Sequence, residues 1–237
     1  MSNEDKKYSI DDVKSTMEEK KKASKGRGFS FKPYVDDVRT RLKLIEEKKQ
    51  KIRTVPGSEK LLEKLRKQGK WTARERLDAF FDKGTFIEEA IFVRCKATEM
   101  GMDKKYTPCD GVVCGYGKVD GRIIFAYATD YTVLAGSSGE GHIKKIANVY
   151  RRACDMRVPI VGFLDSAGVR MQEAGRIPGY GELYWLQSNY SGVIPQISII
   201  CGGVAAGQAY SPLLSDFVIM TSVNQISYSK LEKINER

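Results

Sequence analysis

Apolar positions change their spacing three times along the chain. Through residue 55 large apolar side chains are sparse, and Leu42, Leu44 and Ile45 predict one short helix in a stretch otherwise too polar to fold alone. From Gly57 the spacing turns helical. "SEKLLEKLRKQGK" puts Leu61, Leu62 and Leu65 on one face, with Ser58 as cap and Gly69 as stop. "TARERLDAFFDKGTF" restarts a helix at Thr72 that Gly84 should end, with Leu77, Phe80 and Phe81 at helical intervals. The pattern then becomes that of strands. "GVVCGYGKVDGRIIFAYATD" reads as a hairpin turning at Asp120-Gly121. After the small-residue loop "YTVLAGSSGEGH", the residues Ile143, Ile146, Ala147, Tyr150, Ala153 and Cys154 form one face of an amphipathic helix.

Two later segments share a grammar. "MRVPIVGFLDSAGVRMQEA" and "SGVIPQISIICGGVAAGQAY" each run from a proline-led start through an apolar strand to a small-residue turn and a helix. Pro159 and Pro195 stand at strand starts, where the missing N–H is tolerated. Strands apolar on both faces imply a sheet covered on both sides, and alternating helices imply parallel crossovers. "DFVIMT" adds a last strand. The fold class is α/β.

Charge divides the chain. Of the net +10, residues 1–55 carry 16 Lys/Arg against 10 Asp/Glu. Such an arm suits nucleic acid, an anionic cofactor or an acidic partner, but no nucleic-acid motif or aromatic interleaving accompanies it, which favours a solvated helical arm. The five cysteines include no CxxC pair, which speaks for reduced intracellular thiols and against a metal site. With no run of about 18 apolar residues and no signal-like start, neither a membrane span nor export is expected, and a cytoplasmic location is.

The turn "DSAGVR" holds one acid and neither histidine nor cysteine. A chain turning from strand into helix aims several backbone N–H groups at one point, and small residues let a ligand reach them. Ala167 and Gly168 are therefore candidate donors to an anion or a developing oxyanion. An ordinary tight turn is the plainer alternative, and "GGVAAGQAY" reads either way. His142 reads as a capping or packing residue. Asp165 and Glu173 read as capping or salt-bridging acids, or else as the acid pair of a hydratase-like enzyme.

Five collinear stretches carry a resemblance: "GKWTARERLDAFFDKGTFIE", "DGVVCGYGKVDGR", "DYTVLAGSSGEGHIKKI", "VPIVGFLDSAGVRMQEA" and "GVIPQISIICGGVAAGQAYSPLLSDFVIM". Over roughly residues 60–222 the chain resembles the carboxyltransferase subunits of biotin-dependent acyl-CoA carboxylases, with transcarboxylase and biotin-dependent acyl-CoA decarboxylases as sister enzymes. The resemblance implies a crotonase-like spiral of strand-strand-helix units. It divides the chain into a basic arm, residues 1–55, and an N-terminal acyl-CoA-binding domain, residues 56–237, cut short at its C-terminal end. It places the peptide N–H groups of Ala167 and Gly168 on the thioester oxygen, where the family pattern has two glycines. It sets Ser166, Val169, Arg170, Ala205, Ala206 and Gly207 around the substrate. It implies CoA within the substrate, biotin on a separate carrier, a second carboxyltransferase domain or subunit, and an oligomer. Carboxyl transfer to an acyl-CoA is the leading activity. Decarboxylation in the reverse direction, a crotonase-class hydrolase or hydratase, and a non-catalytic assembly subunit or inactive paralogue stay open.

Overall fold

The computed structural model describes residues 32–173, 179–220 and 226–227, and divides the chain into two units, Met1–Lys48 and Lys49–Arg237. The disorder expected before residue 32 lies outside the described residues. A 23-residue helix, α1 (Lys32–Thr54), replaces the short one predicted, and Val38, Leu42, Leu44 and Ile45 are all exposed on it.

Helix α2 (Glu59–Lys67) ends as the sequence suggests. Gly69 takes φ +66°, its N–H bonds the Arg66 carbonyl, and the Lys70 N–H bonds the Leu65 carbonyl, which together close a Schellman motif. Ser58 precedes the helix in an extended conformation but makes no side-chain cap. Helix α3 (Ala73–Phe80) does begin with a capping box, in which Thr72 and Glu75 satisfy each other's backbone N–H. It stops four residues before Gly84, because Phe81 turns extended and buries its ring beside Phe86.

Among the described residues seven strands form one sheet. β1 (Ile87–Glu89), β2 (Val112–Val119) and β3 (Arg122–Thr129) are antiparallel, and Asp120 and Gly121 both take positive φ at the hairpin turn. β4 (Ile160–Ser166), β5 (Gln196–Ala205) and β6 (Phe217–Met220) continue in parallel, and β7 (Ile226–Ser227) pairs with the end of β5. The crossovers are α4 (Glu140–Met156), α5 (Tyr180–Asn189) and α6 (Gly207–Leu213). Period-two alternation builds two cores. Phe125, Tyr127, Ile160 and Leu164 meet α4, α5 and α6 on one face, while Ala126, Ala128, Val161 and Phe163 meet α3 on the other.

β4 is buried along its whole length, as expected of a doubly covered strand. β6 is not: Phe217, Val218, Ile219 and Met220 are all exposed, so the sheet leaves both faces of this strand open among the described residues.

Candidate functional site

Parallel strands β4 and β5 end side by side, with Ser166 paired to Val204 after a register shift beyond Leu164. Their two small-residue turns therefore meet. Gly168 takes φ +99°, and a Cβ built on it would lie 3.0 Å from the Ala205 carbonyl oxygen and 3.2 Å from the Ala206 Cβ. Only glycine fits there without strain. Ala206 is itself held at φ +50° and ψ −135°, a sparsely populated region for a residue with a side chain, and α6 opens directly after it. Ala167 and Ala206 are exposed while Ser166 and Gly168 are buried. Ser166, Ala167, Gly168, Ala205, Ala206 and Gly207 are thus brought together, and Val169 joins them through a bridge to Ser138.

The donors are less free than the sequence suggests. The Ala167 N–H is bound to the Ala135 carbonyl at 2.9 Å. The Gly168 N–H donates to the Ser166 hydroxyl at 3.1 Å, and that hydroxyl donates onward to the Gly136 carbonyl at 2.7 Å. Nor does a helix begin here. The turn leads into a short 3₁₀ segment, Met171–Glu173, and α5 starts only at Tyr180, so the helix end beside Gly168 is that of α6, which opens after Ala206 in the neighbouring turn. Ala167 keeps a negative φ, so alanine is accommodated where the family has glycine.

The Arg170 side chain is held by internal partners. It is 1% exposed. One guanidinium nitrogen lies 2.7 Å from both Asp110 and Glu173, and another donates to the Ser137 carbonyl. The same two carboxylates cap α4, Asp110 accepting the His142 N–H at 2.8 Å and Glu173 the Glu140 N–H at 3.0 Å. Glycines admit them: a Cβ at Gly139 would strike Arg170 and Glu173, and one at Gly141 would lie 2.7 Å from Asp110. Burial pushes the Asp110 carboxyl up against the pull of Arg170. Burial also opposes ionisation of Glu173, but the Glu140 N–H, Cys95 and Arg170 hold it below its ordinary value. Asp165 pairs with Lys70 and Arg76 on the opposite face of the sheet, so the two acids form no catalytic pair.

His142 is the packing residue expected. Its Nδ1 donates to the Asp110 carbonyl, and its Nε2 accepts from Gln208. Burial, with Arg170 and Lys145 nearby, lowers its pKa to about 3. Between about pH 3 and 6.5 the unfolded chain binds this proton and the folded one does not, so stability is lost as pH falls through that window. His142→Gln should remove about 2–3 kcal/mol of the stability change between pH 6.5 and 4.5. Urea midpoints at the two pH values check this, and equal slopes in variant and wild type would contradict it.

Sequence reasoning missed Asp110, Ser138 and Tyr180. Asp110 lies far from "DSAGVR" in sequence and inside a tight turn, with no periodicity to mark it. A cleft of about 570 Å³, lined by residues including Arg66, Arg74, Glu75 and Glu88, lies apart from the paired turns.

A carboxyl transferase domain matches residues 64–228. The chain belongs to this family. It is 48% identical over 184 residues to a methylmalonyl-CoA decarboxylase alpha subunit of Veillonella parvula, covering 77% of this chain and 36% of that one. It is 38% identical over 185 residues to the human mitochondrial propionyl-CoA carboxylase beta chain, covering 77% and 34%. A transcarboxylase 12S structure with methylmalonyl-CoA and methylmalonic acid bound superposes with a TM-score of 0.74 at 41% identity, over 78% of this chain and 36% of that one. The fold is crotonase-like, as the resemblance implied. The chain spans about a third of the length of these relatives. Among the described residues no helix is long and apolar enough to cross a membrane.

Proposed function

We propose that this chain supplies the acyl-CoA half of a biotin-dependent carboxyltransferase site. The observation that carries the reading is the meeting of the Ser166–Val169 and Ala205–Gly207 turns at the ends of β4 and β5, within a segment matched to carboxyl transferases. The Gly168 N–H is the donor to the thioester oxygen. Its present acceptor is a side-chain hydroxyl two residues away, at 3.1 Å, which a substrate oxygen can replace. The Ala167 N–H braces the Ala135 loop instead and leaves Gly168 as the exchangeable donor.

Removing the α-proton of an acyl-CoA puts negative charge on the thioester oxygen, and a fixed amide there stabilises the enolate without reorganising. Ala167, Gly168 and Ala206 leave room for the thioester to approach the backbone. Biotin on a carrier supplies the carbon dioxide and the base, which fits a turn that carries no reactive side chain of its own. No residue of this chain is assigned to biotin, whose half of the site belongs to a second carboxyltransferase domain or subunit in a cytoplasmic oligomer. The reverse direction, decarboxylation of a malonyl-type CoA, is favoured by the 48% identity to methylmalonyl-CoA decarboxylase alpha subunits from two organisms.

The test is transfer by parts. The purified chain should bind propionyl-CoA and methylmalonyl-CoA in calorimetric titration yet transfer no carboxyl group to or from free biotin until a second carboxyltransferase domain is added. Full transfer by this chain alone would refute the half-site model. CoA-ester binding lost altogether, with assembly intact, would favour the non-catalytic assembly subunit.

A further inference from the structure

We propose that Ser138 and Tyr180 are positioning residues, a hydroxyl relay that fixes the Gly168 carbonyl, in the peptide plane after the Gly168 Cα, and so anchors the far side of the residue whose N–H, in the plane before it, is offered to the thioester oxygen. The inference rests on the role given to Gly168 above. At φ +99° and without a Cβ, Gly168 has little intrinsic preference to hold its peptide planes. Hydrogen bonds must do it. The Gly168 carbonyl accepts the Ser138 N–H at 2.8 Å and lies 3.2 Å from the Ser138 hydroxyl. The Ser138 carbonyl in turn accepts the Arg170 N–H at 2.9 Å, so this one residue grips the turn on both sides.

Tyr180 completes the relay. Its hydroxyl lies 2.6 Å from the Ser138 hydroxyl. A serine carries one hydroxyl proton. When that proton goes to the Gly168 carbonyl, the tyrosine must donate to serine, giving Tyr180 O–H to Ser138 Oγ, then Ser138 O–H to Gly168 oxygen. Burial pushes the Tyr180 phenol up to about 12, so it keeps its proton well above neutral pH. The ring also touches the second turn, since a Cβ at Gly207 would lie 2.9 Å from it. Tyr180 opens α5, and so one side chain ties that helix to both turns.

The experiment uses the assembled carboxyltransferase containing this chain, and compares Ser138→Ala, Tyr180→Phe and the double variant at equal thermal stability. Ser138→Ala should lower kcat about tenfold and Tyr180→Phe about fivefold, the scale of one hydrogen bond, with the KM for acyl-CoA within about twofold of wild type. Because the two act in series, the double variant should match Ser138→Ala within about twofold rather than show the product of the two losses. In Tyr180→Phe the amide resonance of Gly168 should move while those of α4 stay in place. An unchanged kcat in Tyr180→Phe, a rise in KM alone, or multiplying losses would each overturn the inference and leave the functional reading standing. A wild-type assembly that transfers no carboxyl group would overturn the functional reading, and the inference with it.

Discussion

An ester in place of the Gly168 amide lowers carboxyl transfer by about 10²–10³ in kcat, the cost of one lost oxyanion donor. The substitution is made by semisynthesis, with glycolic acid for Gly168, in the assembled enzyme. It is chosen because side-chain changes at this position carry their own damage. Proline needs φ near −65°, whereas Gly168 sits at +99°, and an alanine Cβ would press on the Ala205 carbonyl oxygen at 3.0 Å. Either substitution would distort the turn whether or not its N–H takes part in the chemistry. The ester keeps the chain path and deletes the donor. The matching ester at Ala167 deletes the bond to the Ala135 carbonyl and serves as the contrast. It should cost stability, on the order of 1 kcal/mol, with turnover changed far less. If the Gly168 ester transfers carboxyl groups at near wild-type rate, the turn is structural. If both esters slow transfer equally, the shape of the loop matters and the Gly168 donor has no special part.

Periodicity made most of the fold legible, because burial acts on spacing. The α4 face, the Asp120-Gly121 hairpin and the two proline-led strands all follow from local pattern. The errors arose where tertiary contacts decide. Phe81 left the α3 helix to bury its ring, although its helical spacing with Leu77 was correct. β6 looks as apolar as β4 in sequence, yet it stands exposed. The site was legible at the level of its turns and illegible in its hydrogen bonds. "DSAGVR" and "GGVAAGQAY" announce close backbone approach, and the structure brings them together. Nothing in those letters tells that Ala135, 32 residues before Ala167 in the chain, takes its N–H, or that the helix begins only at Tyr180. Arg170 shows the same limit: its type suits an anion, and only the fold reveals that Asp110 and Glu173 have already claimed it.

That claim sets the second large effect. Arg170→Ala should cost about 3–5 kcal/mol of folding stability, since it leaves two carboxylates beside each other without their shared cation. Asp110 is wholly buried and Glu173 nearly so, so water cannot replace the guanidinium. The loss spreads through named contacts. The Ser137 carbonyl loses its donor, and mutual repulsion loosens both carboxylates from the Glu140 and His142 N–H groups that begin α4. The 137–139 loop, which also holds the Gly168 carbonyl, is therefore the first segment expected to exchange its amide protons faster. Arg170→Lys should recover part of the loss, because one ammonium can meet a carboxylate but cannot reproduce the guanidinium fork that also reaches Ser137. Removing the charges together is the decisive comparison. Asp110→Asn with Glu173→Gln in the Arg170→Met background should be more stable than Arg170→Ala alone, because no buried charge is left unpaired. Chemical denaturation of the four proteins ranks them. An Arg170→Ala protein within about 1 kcal/mol of wild type would mean that the network is not an anchor, and that Arg170 is free to meet substrate after all.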